Sequence, residues 1–73
     1  MMFDQVKFGK RLRRMRKRAG MTMQHVAQCV YTSTSIISRY ENGLVLPAID
    51  RLYALSKLYG CSIDWLCGME DEV

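Results

Sequence analysis

Proline, glycine and histidine are scarce in this sequence, which has one Pro, five Gly and one His among 73 residues. Few residues therefore interrupt helices or strands. No uncharged stretch is long and apolar enough to span a membrane, and the N-terminus lacks the apolar run and cleavage site of a secretory signal. We expect a soluble cytoplasmic protein without membrane contact, folded as one domain over residues 1–73.

Residues that carry catalysis or bind metals are also few. The three cysteines, Cys29, Cys61 and Cys67, form no Cys-x-x-Cys pair, and we expect them to be reduced thiols. His25 and Cys29 lie four positions apart on a predicted helix, but two ligands are too few for a closed zinc site. A small buried hydrophobe is the more common role of a free cysteine. The sequence also lacks catalytic residue spacings and a glycine-rich phosphate loop, so we expect no enzyme activity, no metal and no cofactor.

Basic residues are abundant, and they are concentrated in the N-terminal half. Residues 1–40 carry nine Lys or Arg and one acid, Asp4, which gives a charge of +8. Residues 41–73 carry two bases and six acids, which gives −4 and a formal total of +4. This asymmetry favours a polyanionic partner facing the N-terminal half.

Apolar periodicity predicts five helices and no strand, and hence an all-α fold. The first helix is predicted over residues 4–18, where apolar residues recur at helical spacing at Phe8, Leu12, Met15 and Ala19. Thr22 and Ser33 are positioned as the N-caps of two short helices, the second of which ends near residue 40. The predicted inward residues of these two helices are Val26, Ala27, Val30, Ile37 and Tyr40.

Two further helices are predicted in the C-terminal half. One runs from about residue 48 to residue 59, with its apolar face formed by Ile49, Leu52, Leu55 and Leu58. The other covers residues 63–67 and is capped by Ser62. The acidic end of the chain, residues 69–73, is expected to fray.

Two short helices joined by a tight turn are typical of a helix-turn-helix, in which the second helix enters the DNA major groove. The same spacing also occurs in small helical bundles, but the residue identities are more specific. They resemble the phage repressor and Cro family, also called the xenobiotic-response-element type. The matching segments are Gly20-Met21-Thr22, Val26-Ala27, Ser33-Thr34-Ser35-Ile36-Ile37-Ser38-Arg39-Tyr40-Glu41-Asn42-Gly43, Pro47 and Ile63-Asp64-Trp65-Leu66.

This resemblance covers nearly the whole chain and implies a compact five-helix bundle of the lambda-repressor-like type, with its motif at residues 21–43. It implies a small transcriptional regulator, most simply a repressor, a Cro-like protein or an operon controller, that binds double-stranded DNA. It also implies an ion pair between Arg16 and Glu41 and a close helix crossing at Ala27. The base-reading positions would be Thr34, Ser35, Ser38 and Arg39. The phosphate-binding positions would be Thr22, Met23, Gln24, Asn42, Gly43 and Arg14.

Met23 departs from the family pattern, which usually has Gln after the capping Thr. The arginine-rich first helix cannot turn all of its charges toward one duplex, and most of them are interpreted as a solvated face. The resemblance further implies a homodimer with contacts at Ile63, Trp65 and Leu66, although Trp65 could equally close the core. An alternative is a protein-interaction module that uses Trp65 and the acidic tail to hold a partner, and a protein antagonist is a possible further partner.

Overall fold

The computed structural model describes residues 2–70, in which the chain forms five α-helices and no strand. The helices are α1 (Gln5–Arg18), α2 (Met23–Cys29), α3 (Thr34–Glu41), α4 (Ile49–Tyr59) and α5 (Ile63–Leu66). The all-α fold predicted from the sequence is confirmed. Within residues 2–70, no helix is long and apolar enough to cross a bilayer.

Side-chain caps explain where four of these helices begin. The hydroxyl of Thr22 accepts a hydrogen bond from His25 N at 3.1 Å, and that of Ser33 accepts one from Ile36 N at 3.2 Å. Asp4 caps α1 and Ser62 caps α5 in the same way. Each bond satisfies a backbone N–H that has no partner within its helix. The predicted caps Thr22, Ser33 and Ser62 are therefore confirmed.

The core contains side chains from all five helices, and α2, its C-terminal cap Val30 and α3 supply more than half of it. Its buried apolar members are Phe8, Leu12, Val26, Ala27, Val30, Ile37, Tyr40, Leu55 and Leu66. The inward residues predicted for α2 and α3 are confirmed. Three positions predicted on apolar helix faces are not part of the core. Met15 is only half-buried, Ala19 is exposed and Ile49 is 74% exposed. The last turn of α1 and the first turn of α4 thus extend beyond the core.

A close approach between α1 and the end of α3 fixes the orientation of the helix-turn-helix. A β-carbon at Gly9 would lie 2.5 Å from the carbonyl oxygen of Glu41 and 2.6 Å from that of Tyr40. The side-chain amide of Gln5 donates a hydrogen bond to the carbonyl of Gly43 at 2.9 Å. The N-terminal half of α1 is therefore packed directly against the turn that follows α3.

The start of the predicted frayed tail is held by hydrogen bonds. Met69 N donates to the carbonyl of Asp64 at 2.8 Å, and the hydroxyl of Ser62 donates to a carboxylate oxygen of Glu70 at 3.3 Å. Met69 and Glu70 thus contact α5 and its cap, and the fraying of this segment stays a prediction. The remaining part of the tail, residues 71–73, lies outside the described residues.

Candidate nucleic-acid interface

The outer face of α3 presents the residues that were predicted to read bases. Ile37, Tyr40 and Glu41 are buried on the inner face of this helix. Ser35 and Arg39 are exposed on the opposite side, and Thr34 is exposed as the first residue of the helix. Ser38 is half-buried, and its hydroxyl accepts a hydrogen bond from the side-chain amide of Asn42 at 3.3 Å. The four predicted positions thus lie together on one helix whose back is anchored in the core.

An ion pair joins three parts of the motif to one another. Arg16 Nε lies 2.7 Å from Glu41 Oε2, and Arg16 Nη2 donates to Glu41 Oε1 at 3.0 Å. Arg16 Nη1 also donates to the carbonyl of Met21 at 3.1 Å, just before α2. The side chain of Arg16 is 11% exposed and that of Glu41 is 3% exposed. The hydrogen bond to Glu41 raises the pKa of Arg16 above its usual range. The pair that the resemblance implies is present, and the arginine fork holds α1, the start of α2 and the end of α3 at fixed positions.

The turn between α2 and α3 contains a feature that the sequence reasoning missed. Tyr31 has a φ of 59°, in the left-handed region that side chains other than glycine rarely adopt. Arg51 of α4 donates hydrogen bonds to the carbonyls of Val30 at 3.1 Å and Tyr31 at 3.0 Å. These contacts connect α4 to the turn that sets the direction of α3. No local pattern signals them, because Arg51 lies about twenty positions along the chain.

The residues at the start of α2 differ in what they present to the surface. Thr22 and Gln24 are exposed, whereas Met23 is half-buried and packs against the core. The departure of Met23 from the family pattern therefore has a structural explanation, since its side chain helps to cover the core. Only its backbone N–H, at the first turn of a helix, can point toward an anion.

The turn after α3 brings together the second group of predicted phosphate contacts. Asn42 is exposed, and Gly43 has a φ of +71°. A β-carbon at Gly43 would lie 3.0 Å from the α-carbon of Val6 in α1, so both the backbone conformation and the limited space favour glycine here. The structure thus places Asn42 and Gly43 together, directly beside the first turn of α1.

Arg14 lies apart from the other predicted phosphate contacts. Its guanidinium carbon is 6.0 Å from the centre of the Trp65 ring in α5. Arg16, only two residues later, points to Glu41 in α3. Residues two positions apart are separated by about 200° around the helix axis. Arg14 therefore lies on a face of α1 nearly opposite to the one that contacts α3. We therefore omit Arg14 from the candidate site.

The predicted dimer residues also occupy different environments. Leu66 is 0% exposed and belongs to the core, so its prediction as a surface contact is wrong. Trp65 is half-buried, with the guanidinium of Arg11 4.7 Å from its ring centre. Arg11 itself is buried and donates to the backbone carbonyl of Trp65. Ile63 is half-buried and lines a shallow groove together with Tyr53 of α4.

No group of three or more His, Cys, Asp or Glu side chains that could bind a metal ion occurs in the part of the chain that the structure describes. Cys29 is exposed, whereas Cys61 and Cys67 are half-buried free thiols. Burial raises the pKa of both half-buried thiols. A raised pKa keeps more of each cysteine in the protonated form, which is the less nucleophilic one.

A family model described as helix-turn-helix matches residues 12–66. The chain belongs to this helix-turn-helix family. It is 34% identical over 62 residues to the uncharacterized HTH-type transcriptional regulator YobD and 40% identical over 65 residues to the HTH-type transcriptional regulator ImmR, both from Bacillus subtilis. These alignments cover 85% and 89% of this helix-turn-helix chain, and 55% and 50% of the two relatives. The chain therefore spans about half the length of the curated relatives that it matches.

Solved structures show the same fold. The P22 c2 repressor in complex with a synthetic operator matches with a TM-score of 0.82 and 32% identity, over 86% of this helix-turn-helix chain and 96% of that chain. The restriction-modification controller protein C.AhdI from Aeromonas hydrophila matches with a TM-score of 0.79 and 25% identity, over 86% and 96% of the two chains. The predicted lambda-repressor-like architecture is therefore confirmed.

Proposed function

We propose that this helix-turn-helix protein binds double-stranded DNA sequence-specifically and regulates transcription, with α3 lying in the major groove. One observation carries the proposal. Ser35 and Arg39 are exposed on the outer face of α3 and Thr34 is exposed at its first residue, while the inner face of the same helix is buried in the core. A rigid helix with free polar side chains on one face is the geometry that reads base edges. The repressor-operator complex of the similar P22 c2 protein supports this proposal.

Arg39 is the residue that we expect to contribute most to base discrimination. Its guanidinium can donate two hydrogen bonds to guanine O6 and N7, a contact that discriminates by about 1–3 kcal/mol. Thr34 and Ser35 can donate or accept single bonds, and the Thr34 methyl can contact a thymine methyl. The Ser38 hydroxyl accepts a hydrogen bond from the Asn42 side chain, and it can still donate its proton to a base.

Two backbone segments are proposed to hold the phosphates on either side of α3. One consists of Thr22, Met23 and Gln24 at the start of α2, and the other consists of Asn42 and Gly43. Phosphate contacts of this kind fix the position of the protein on the duplex without reading its sequence. The buried pair of Arg16 and Glu41 holds both segments in place, because it connects α1 to the end of α3 and to Met21.

We further propose that the protein acts as a homodimer in the cytoplasm, where free thiols remain reduced. Two copies would read two half-sites about 34 Å apart, which provides more specificity than one helix can. The proposed contact involves the exposed apolar residues of the loop after α3 and of the start of α4, which we call the apolar shoulder: Leu44, Val45, Leu46, Ile49 and Tyr53. No charged residue occurs from residue 44 to residue 49, although charged residues form 25% of the chain. Ile63 extends this surface, since it lines the groove beside Tyr53.

The test of base reading is selection of bound duplexes from a random DNA pool, followed by titration of the selected site against random DNA. We expect Arg39→Ala to lose about 10-fold to 100-fold of this preference, and Ser38→Ala to lose less. Arg18→Ala serves as the charge-matched control, because Arg18 is exposed on the side of α1 that faces Tyr59. If the Arg39 and Arg18 variants prefer the selected site over random DNA equally, Arg39 does not read bases. A pool without any enriched sequence would contradict the proposed function and favour a protein-interaction module instead.

A further inference from the structure

The basic residues of α1 divide into two faces that have different surroundings. On one face, Arg11 and Arg14 lie over the ring of Trp65, and Arg18 lies beside Tyr59 and Gly60 at the end of α4. The other face contacts α3, through the close approach at Gly9 and the ion pair of Arg16. Charges on the first face are turned toward α4 and α5, away from the recognition helix.

One cation, Arg13, borders the line along which α1 touches α3, and two lysines lie farther round the helix on the same side. Successive residues of a helix are about 100° apart, so Gly9 and Arg16, seven positions apart, lie on nearly the same line. Arg13 is about 40° from this line, and Lys17 and Lys10 are about 80° and 100° from it on the same side. Arg14 and Arg18 are about 140° and 180° away. We call the near group, Lys10, Arg13 and Lys17, the basic ridge, and all three side chains are exposed.

The basic ridge runs between the two backbone segments proposed to hold phosphates. Near its N-terminal end, Gln5 donates to the carbonyl of Gly43, in the turn that follows α3. Near its C-terminal end, Arg16 donates to the carbonyl of Met21, directly before α2. The ridge is therefore on the flank of α1 that follows the motif from one proposed anchor to the other.

The local charge favours an anion along this ridge. The acid nearest to it on α3 is Glu41, which is buried and already bonded twice by Arg16. No acidic residue occurs in α1 itself. Three exposed cations without a neutralising carboxylate on their own helix produce a positive potential that attracts polyanions.

We propose that the basic ridge, and Arg13 first of all, binds phosphates of the same duplex that α3 reads. This inference rests on the proposed function and adds a sequence-independent contact to it. Arg13 is the member closest to α3, and its guanidinium can bond two phosphate oxygens at once. The ridge replaces Arg14 as the contribution of α1 to phosphate binding.

The test compares the salt dependence of DNA binding in charge-matched variants. Affinities of wild type, Arg13→Gln and Arg18→Gln are measured between 50 and 200 mM salt, on the selected duplex and on a scrambled one. Each lost phosphate contact lowers the slope of log affinity against log salt by about 0.9. We expect Arg13→Gln to lose about one such contact per chain on both duplexes, with the ratio of the two affinities unchanged, and Arg18→Gln to keep the wild-type slope. Arg13→Lys should restore the slope.

A pair of double variants tests the rest of the ridge. Lys10→Gln with Lys17→Gln removes two ridge charges. Lys7→Gln with Arg18→Gln removes two charges that lie about 160° and 180° from the line of contact with α3. The proposal that the basic ridge binds phosphates would be overturned by two results together: equal slopes for the two double variants, and equal slopes for the Arg13 and Arg18 variants. Failure of the proposed function is distinguishable, because it would abolish the preference of wild type for the selected duplex while leaving these slope comparisons measurable on any duplex.

Discussion

At the scale of single residues, the most unusual backbone in the motif is at Tyr31. A side chain other than glycine in the left-handed region costs about 1–2 kcal/mol, because its β-carbon approaches the backbone too closely. The Tyr31 side chain is 89% exposed, so its ring recovers little of this cost by packing. The two hydrogen bonds from Arg51, and the bond from Thr32 N to the carbonyl of Ala27 at 2.9 Å, hold the turn in place.

Tyr31→Gly is therefore expected to stabilise the protein. The gain should be about 1 kcal/mol, because the relief of strain exceeds the greater entropy that glycine has in the unfolded chain. Urea denaturation measures it as a shift of the midpoint at constant slope. Tyr31→Val is the matched control and should destabilise, since a β-branched residue tolerates this conformation poorly. A lower midpoint for the glycine variant than for wild type would show that the tyrosine ring stabilises the turn after all.

At the scale of helices, the sequence predicted the first and last residues of each helix well. It predicted less well which of their side chains are buried against other helices. The starts of α2, α3 and α5 are marked by Thr22, Ser33 and Ser62, whose short side chains accept a hydrogen bond from the backbone N–H three residues later. Such local signals are readable from sequence because they need no distant partner.

The environment of the long side chains could not be read in this way. Arg11 belongs to a run of charges that periodicity assigns to solvent, yet it is buried against Trp65, 54 positions along the chain. Ile49 fits the apolar face of α4 but is exposed, because the first turn of that helix extends beyond the core. Both outcomes depend on how helices pack together, which local spacing does not determine.

The packing of α1 on α3 gives a prediction at this scale. Gly9→Ala introduces a β-carbon within 2.6 Å of two carbonyl oxygens, so α1 must move away from α3. Overpacking of this kind costs about 1–3 kcal/mol, against a gain of nearly 1 kcal/mol in helix propensity. Because the β-carbon meets backbone and not a flexible side chain, the cost should be at the upper end, and we expect a net loss of about 2 kcal/mol in denaturant unfolding. DNA binding should weaken too, because the end of α3 is displaced. Gln5→Ala, which removes one hydrogen bond from the same contact, is the milder comparison. Unchanged stability in Gly9→Ala would mean that α1 does not constrain α3.

At the scale of the whole molecule, the proposed DNA-binding and dimer surfaces are formed by different elements. The outer face of α3 and the basic ridge of α1 are polar and positively charged, whereas the apolar shoulder is formed by α4 and the loop before it. Pairing through the shoulder leaves both recognition helices free. The shoulder directly follows α3, so the two recognition helices of a pair would approach one another at their C-terminal ends.

Ile49→Asp is the variant that tests pairing. It places a charge at the most exposed residue of the apolar shoulder, and α4 should tolerate it because an acidic residue in the first turn of a helix interacts favourably with the helix dipole. We expect sedimentation to show a dimer for wild type and a monomer for the variant, with weaker binding to a two-half-site operator but unchanged binding to one half-site. Met69→Asp places the same charge at another exposed apolar residue and should stay dimeric. Identical behaviour of the two aspartate variants, or a monomeric wild type, would rule out the apolar shoulder as the dimer interface.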